Sequence, residues 1–203
     1  MGFLSRSVSL MRYRVRGEVE GSFWDSVNEG IAKGAFREGE MSGDEVSIGW
    51  VSMEDFADTQ FKGASYVRGS YVALSLRVDV VRVPPRIVEL QLKKESRKLL
   101  DESGQSRLSS SQYRELKEHI RESLKRQVLP SVQVFDLVWD TARAMCYFGS
   151  HSPKARDRVE NQFKKSFALT LVPMIPYLYA DELLADKSQK QVLEQLRPSS
   201  FAV

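Results

Sequence analysis

The stretch "SYVALSLRVDVVRVPP", Ser70 to Pro85, decides the fold class of this 203-residue chain. Apolar side chains occupy every second position, which is the period of a half-buried β-strand. These apolar positions are Val72, Leu74, Leu76, Val78 and Val80. Pro84 and Pro85 then end the strand, and proline suits the first turn of a helix. The stretch therefore predicts a strand that leads directly into a helix.

Working outward from this stretch, the hydrophobic periods predict the order β-α-β-β, then two charged helices, then β-β-α-β. The strands are expected within residues 7–17, 47–53, 70–83, 132–140, 144–150 and 168–174, and the helices within 21–36, 86–103, 109–130 and 152–167. A further helix is expected over 181–196. This order predicts an α+β fold with antiparallel or mixed sheets, packed helices and a charged two-helix projection.

The same pattern predicts how the chain is divided. Residues 1–85 and 131–180 are expected to form the sheet domain, with the helical pair in residues 86–130 between them. Residues 181–203 form a C-terminal helix or tail.

Composition narrows the class of protein. The 42% of apolar residues excludes a wholly disordered chain. The single cysteine, Cys146, excludes an intramolecular disulfide and sits in the apolar run "AMCYF", which favours a buried, inert thiol. No apolar run reaches the ~18 residues of a membrane span. We therefore expect a soluble cytoplasmic protein.

Positive charge is concentrated in the middle of the sequence. The whole chain carries a net charge of only +3. Residues 86–127 carry +4, against −2 for residues 1–85 and +1 for residues 128–203. A basic surface for a polyanionic partner is therefore expected first on the two charged helices.

The second charged helix, "SSSQYRELKEHIRESLKRQVLP" from Ser109 to Pro130, sorts its charges into stripes. At 100° per residue, one arc is apolar: Tyr113, Leu116, Ile120 and Leu124. The next arc is basic: Arg114, Lys117, Arg121 and Lys125. The third is acidic: Glu115, Glu118 and Glu122. Regularly spaced cations along one edge suit a phosphate backbone, although ion pairs along a solvated helix would explain the same residues.

Two further groups of cations are candidates for phosphate contacts. The first charged helix contributes Lys93, Lys94, Arg97 and Lys98. In "RYRVR", Arg12, Arg14 and Arg16 alternate, so on a strand all three point to one face of the sheet. That face is either solvated and paired with nearby carboxylates or directed at a polyanion.

The sequence contains no motif that identifies an enzyme. Phosphate-binding glycine loops, a nucleophile elbow and zinc-ligand clusters are absent, and His119 and His151 are interpreted as surface residues. We therefore predict no catalytic residues, no metal and no cofactor. One alternative is a metal-dependent nuclease that uses Asp136, Asp140 or Asp79. The other is a protein-interaction module in which the apolar helix stripe docks a partner.

Several segments, in this order, resemble the recombination-associated protein RdgC family of bacteria. They are "GWVS" at Gly49–Ser52, "VPP" at Val83–Pro85, "LP" at Leu129–Pro130, "VWD" at Val138–Asp140, the "GSHSPKA" turn and helix over Gly149–Phe167, and "LTLVPM" at Leu169–Met174. The order covers about two-thirds of the chain.

This resemblance implies a protein that binds double-stranded DNA without sequence preference and restrains RecA-dependent recombination in the nucleoid. Family members dimerise into a ring whose lining is positively charged, and some carry the label exonuclease. We therefore expect a homo-oligomer with duplex DNA, and possible single-strand binding, as its partners. The better-known members are longer, so this chain is expected to lack their C-terminal part, and the alternatives to a two-subunit ring are an open dimer, a larger ring or a ring completed by a partner.

Overall fold

The computed structural model describes residue 3 and residues 8–19, 21–38, 45–184 and 186–197. Within them lie seven strands: β1 (Met11–Arg16), β2 (Val46–Ser52), β3 (Val67–Arg68), β4 (Tyr71–Val80), β5 (Ser131–Asp140), β6 (Met145–Phe148) and β7 (Thr170–Pro173). The described helices are α1 (Phe23–Gly34), α2 (Pro85–Ser103), α3 (Ser110–Lys125), α4 (Pro153–Phe167), α5 (Pro176–Leu183) and α6 (Lys187–Gln195).

The strands form one antiparallel sheet in the order β2-β4-β5-β6-β1-β7, and the short β3 pairs with β4. The α+β class predicted from the sequence is therefore confirmed. Strands β5 and β6, both expected from the sequence, form a hairpin and pair antiparallel, with Leu137 opposite Phe148 and Asp140 opposite Met145. Strand β1 lies between β6 and β7 and is antiparallel to both.

The chain divides into two compact units. The first comprises the described parts of Met1–Phe36, Gly49–Leu76 and Val134–Val203, and the second comprises those of Arg37–Ile48 and Arg77–Gln133. The first unit contains helices α1 and α4, and the second contains the helical pair α2 and α3.

Aromatic rings form the core of the first unit. The Trp139 ring of β5 lies 5.4 Å from Phe23, 5.2 Å from Phe163 and 5.4 Å from Phe167, centroid to centroid. Phe23 belongs to α1 and the other two rings to α4, so both helices cover the same face of the sheet. Edge-to-face aromatic contacts of this kind add to the stabilisation from burial.

Two glycines allow α1 and α4 to approach each other closely. A Cβ on Gly30 would lie 2.6 Å from the backbone oxygen of Ser166, and one on Gly34 would lie 2.1 Å from its Oγ. That hydroxyl accepts a 2.8 Å hydrogen bond from Trp50 Nε1. These glycines lower the helix propensity of α1, and the packing requires them nonetheless.

The second unit is built around an antiparallel pair of helices. Val88 and Leu92, near the start of α2, pack with Ile120 and Leu124, near the end of α3. Helix α2 begins at Pro85 and is followed by Gly104 at φ 65°, a left-handed conformation that glycine adopts readily. Helix α3 begins with a capping box, in which Ser109 Oγ accepts from Gln112 N and Gln112 Oε1 accepts from Ser109 N.

The structure has two helices, α5 and α6, where the sequence predicted a single C-terminal helix over residues 181–196. Helix α5 begins earlier, with Pro176 in its first turn, and the chain leaves the helix at Leu184. Asp186 then caps α6, because its carboxylate accepts a 3.0 Å bond from Ser188 N. Residues 198–203 of the predicted tail lie outside the described part of the chain. No described helix has both the length and the apolar character needed to span a membrane.

Candidate nucleic-acid interface

The buried stripe of α3 lies where the helical wheel predicts it. Ile120 is buried and Leu116 and Leu124 are half-buried against Val88 and Leu92 of α2. Tyr113 differs, because 49% of its surface is exposed. The core between α2 and α3 is therefore formed without the Tyr113 ring.

Tyr113 lies on one long side of the helical pair, and its neighbours on α2 identify that side. Tyr113 shares one cavity with Ser96 and Leu100. Gln91 and Glu95 of α2 line a different cavity, together with His119 and Ser123 of α3. The two long sides of the helical pair therefore carry different residues.

Cations of both helices lie on the Tyr113 side. Residues three or four positions apart are neighbours on a helix surface. Lys93 precedes Ser96 by three positions, and Arg97 precedes Leu100 by three. Lys117 follows Tyr113 by four positions, and Arg121 follows Lys117 by four. We call Lys93, Arg97, Arg114, Lys117 and Arg121 the basic face, and all five are exposed.

Two cations of α2 that the sequence suggested for phosphate contacts lie on the other side of the helical pair. Lys94 and Lys98 follow Gln91 and Glu95 by three positions each, and both lysines are exposed. Lys98 donates a 3.0 Å hydrogen bond to Glu95 Oε1. These lysines are therefore not on the basic face.

Four members of the basic face are outside ion-pair distance of every carboxylate in the described part of the chain. Arg97, Arg114, Lys117 and Arg121 form no ion pair with any residue that the structure describes. Lys93 lies 2.9 Å from Glu89, and the hydrogen bond from Lys93 lowers the pKa of that carboxyl. Because both side chains are well exposed, the pair contributes little and leaves Lys93 available to another anion.

Lys125, the fourth cation of the predicted basic stripe, has a different environment. Its Nζ lies 2.6 Å from Glu122 Oε1 and 2.7 Å from Glu45 Oε1. Hydrogen bonds to Glu122 and Glu45 raise the pKa of Lys125, and the bond from Lys125 lowers that of Glu122. The side chain is half-buried between the two carboxylates, so its charge is already balanced within the protein.

The three sheet arginines belong to the first unit. Tyr13 and Met11 of β1 are buried on the face that α1 and α4 cover, so Arg12, Arg14 and Arg16 lie on the opposite face. Their direct cross-strand partners there are uncharged: Tyr147, Met145, Val172 and Thr170. Arg12 and Arg16 are exposed, whereas Arg14 is half-buried.

The carboxylates named for the nuclease alternative are held by donors of the protein itself. Asp136 accepts 2.7 Å bonds from Ser75 Oγ and the backbone nitrogen of Phe3. Asp140 accepts from Arg143 N at 3.0 Å. Asp79, in the second unit, accepts two bonds from Arg77, which raise the pKa of the guanidinium. The described residues contain no group of three His, Cys, Asp or Glu side chains that could hold a metal.

The cysteine and the two histidines are the remaining residues with reactive side chains. Cys146 is fully buried, and burial raises the pKa of its thiol, which favours the unreactive protonated form. His119 and His151 are exposed.

Neither protein-family models nor curated protein sequences give a match to this chain. The arrangement of charges on the helical pair is therefore the main guide to what the protein binds.

Proposed function

We propose that this chain binds DNA without sequence preference, through phosphate contacts made by the basic face. The observation that carries the proposal is that both helices of the pair place cations on one side. Four of these five cations have no ion pair among the described residues. Each is on a long, exposed side chain that reaches a phosphate oxygen without reading a base edge.

The distribution of acidic residues supports the same ligand. Glu115, Glu118 and Glu122 are exposed on α3, and residues seven positions apart share a helix face. They form the acidic stripe of α3, which lies next to Arg114 and Arg121 on the side away from Leu116 and Leu124. A polyanion approaching the basic face therefore meets cations from two helices, while the carboxylates of α3 point aside.

The proposal extends to the role of the RdgC family, the modulation of RecA-dependent recombination by a homo-oligomer in the nucleoid. This part is supported by the resemblance in sequence alone. The proposal assigns no catalytic step to the chain.

Reversing three cations of the basic face tests the proposal. In the triple variant Arg114→Glu, Lys117→Glu and Arg121→Glu, duplex binding is expected to weaken equally for unrelated sequences. The slope of log K against log salt should flatten by about 0.9 for each phosphate that the variant no longer neutralises. Fluorescence anisotropy with two labelled duplexes of unrelated sequence, at salt concentrations from about 50 to about 200 mM, measures both effects.

A matched control separates the basic face from net charge. Changing Lys62, Lys154 and Lys164 of the first unit to Glu alters the net charge by the same amount, and all three residues are exposed. We expect this control to retain most of the slope. Equal reductions in the two triple variants, or an unchanged slope in the first, would refute the proposed interface.

A further inference from the structure

An exposed aromatic ring lies beside the basic face, at its end near the turn between α2 and α3. Tyr113 precedes Arg114 in the sequence and lies one helical turn before Lys117, and nearly half of its surface is open. Single exposed apolar residues are common and need no explanation by themselves. The surroundings of this ring, however, are those of a binding site.

Tyr113 forms one wall of an open cavity of about 470 Å³ at the turn between α2 and α3. Leu100 and Leu108 add apolar surface, and both are half-buried. The rest of the lining is polar: Ser96, Ser106, Arg107, Ser109 and Ser110. The cavity thus combines a flat ring, an apolar base, several hydroxyl groups and one guanidinium.

Arg107 lines the cavity itself, and two cations of the basic face are next in sequence to residues that line it. Arg97 lies next to Ser96 and three positions before Leu100 on α2, and Arg114 follows Tyr113 on α3. A flat, apolar ring beside cations is the combination by which proteins bind single strands, since every base has a face that can stack.

We propose that the cavity at Tyr113 receives an unstacked base of single-stranded DNA. The base stacks on the Tyr113 ring and its polar edge meets the hydroxyls of Ser106 and Ser110, while Arg107 and the nearby cations of the basic face contact the phosphates. This inference rests on the proposed function, because it uses the same basic face. A duplex keeps its bases stacked and paired, so it can contact the arginines but cannot fill the cavity.

The described residues on the other side of the helical pair do not combine a phenyl or phenol ring with nearby cations. A cavity of about 410 Å³ near the same turn is lined by Leu99, Leu108, Leu116 and His119, and by the carboxylate of Glu115. Among the described residues that line it there is no phenyl or phenol ring, and Glu115 would repel a phosphate. His119 therefore provides a matched control, as an exposed ring of α3 on the opposite side of the same helix pair.

The experiment compares Tyr113→Leu, Tyr113→Phe and His119→Leu by fluorescence anisotropy. The probes are a labelled single strand of mixed sequence, the same strand with abasic sites, and the corresponding duplex. Because the base can no longer stack on an aromatic ring, Tyr113→Leu should weaken single-strand binding by about five-fold or more. Tyr113→Phe and His119→Leu should stay within about two-fold of the wild type.

Three further readouts make the test specific. Tyr113→Leu should leave duplex affinity and the salt slope unchanged, because no charge is removed. Abasic sites should weaken binding by the wild type and have little effect on Tyr113→Leu. Circular dichroism should show that the variants retain the thermal midpoint of the wild type, since Tyr113 is exposed.

The outcomes distinguish the base site from the proposed function. If the wild type binds duplex with a salt slope but Tyr113→Leu keeps its full single-strand affinity, the base site is wrong and the basic face stands. Equal weakening for single strand and duplex would also refute it, because this indicates a general effect on the surface. If the wild type binds neither form at low salt, the proposed function and the base site both fail.

Discussion

Lys117 and Lys125 are both lysines of α3, eight positions apart, and their surroundings are different. Lys117 is exposed on the side of Tyr113 and has no ion pair within the described residues. Lys125 is half-buried between Glu122 and Glu45. A cation whose charge is already balanced gains less from a phosphate, because it must give up its carboxylates. We therefore assign Lys125 to anchoring the end of α3.

Replacing each lysine by methionine separates these roles. Lys117→Met should reduce the magnitude of the salt slope for duplex binding by about 0.9, the effect of one phosphate contact. Lys125→Met should leave the slope unchanged and lower the thermal midpoint, because Glu45 and Glu122 no longer have their partner. Salt-titrated anisotropy and thermal unfolding measure the two effects. A reduced slope in both variants would show that Lys125 also contacts a phosphate.

At the scale of elements, the packing of α1 on α4 depends on the absence of side chains at Gly30 and Gly34. The backbone oxygen of Ser166 and the ring of Phe167 occupy the space next to Gly30. In an exposed helix, exchanging glycine for alanine stabilises by about 1 kcal/mol. Here the new methyl group meets backbone as well as a ring, so that the sign of the effect is reversed.

Gly30→Ala is therefore expected to lower the free energy of unfolding by about 1–3 kcal/mol, the usual effect of overpacking. Urea unfolding followed by circular dichroism measures the change. Lys33→Ala, at an exposed position of the same helix, is the control and should change stability by less than about 0.5 kcal/mol. A stabilised Gly30→Ala variant would show that α1 and α4 can separate without cost.

At the scale of the whole molecule, the number of phosphates contacted is set by which surfaces meet DNA. The net charge of +3 makes the protein a weak polyelectrolyte, so binding depends on where cations are grouped. Five cations form the basic face of the second unit. Arg12, Arg14 and Arg16 lie on the sheet face of the first unit that α1 and α4 leave uncovered.

The salt dependence of the wild type tells whether the sheet arginines take part. Five phosphate contacts correspond to a slope of about −4.5, and additional contacts make it steeper. For each bound protomer we expect a slope no steeper than this for duplex DNA, and no change in Arg12→Glu, whose side chain is exposed. A steeper slope that flattens in Arg12→Glu would show that DNA also contacts the sheet.

The sequence by itself determined the α+β class, the ends of α2 and the order of stripes on α3. These features depend on local causes: a period of two or 3.6 residues, Pro85 in a first turn, and Gly104 in a left-handed conformation. The capping box at Ser109 and Gln112, where the sequence begins α3, is local too, and so is the cap at Asp186, whose sequence signal could have divided the C-terminal helix.

Only the tertiary structure decided which cations share a surface. The partner of Lys125 is Glu45, eighty positions away, and no periodicity relates them. The antiparallel packing of α2 on α3 puts Lys93 and Arg97 on the same side of the helical pair as Lys117, and Lys94 and Lys98 on the other side. It also leaves Tyr113 outside the core, because the leucines and Ile120 fill the contact between the helices. A helical wheel describes one helix, whereas a surface is formed by the packing of two.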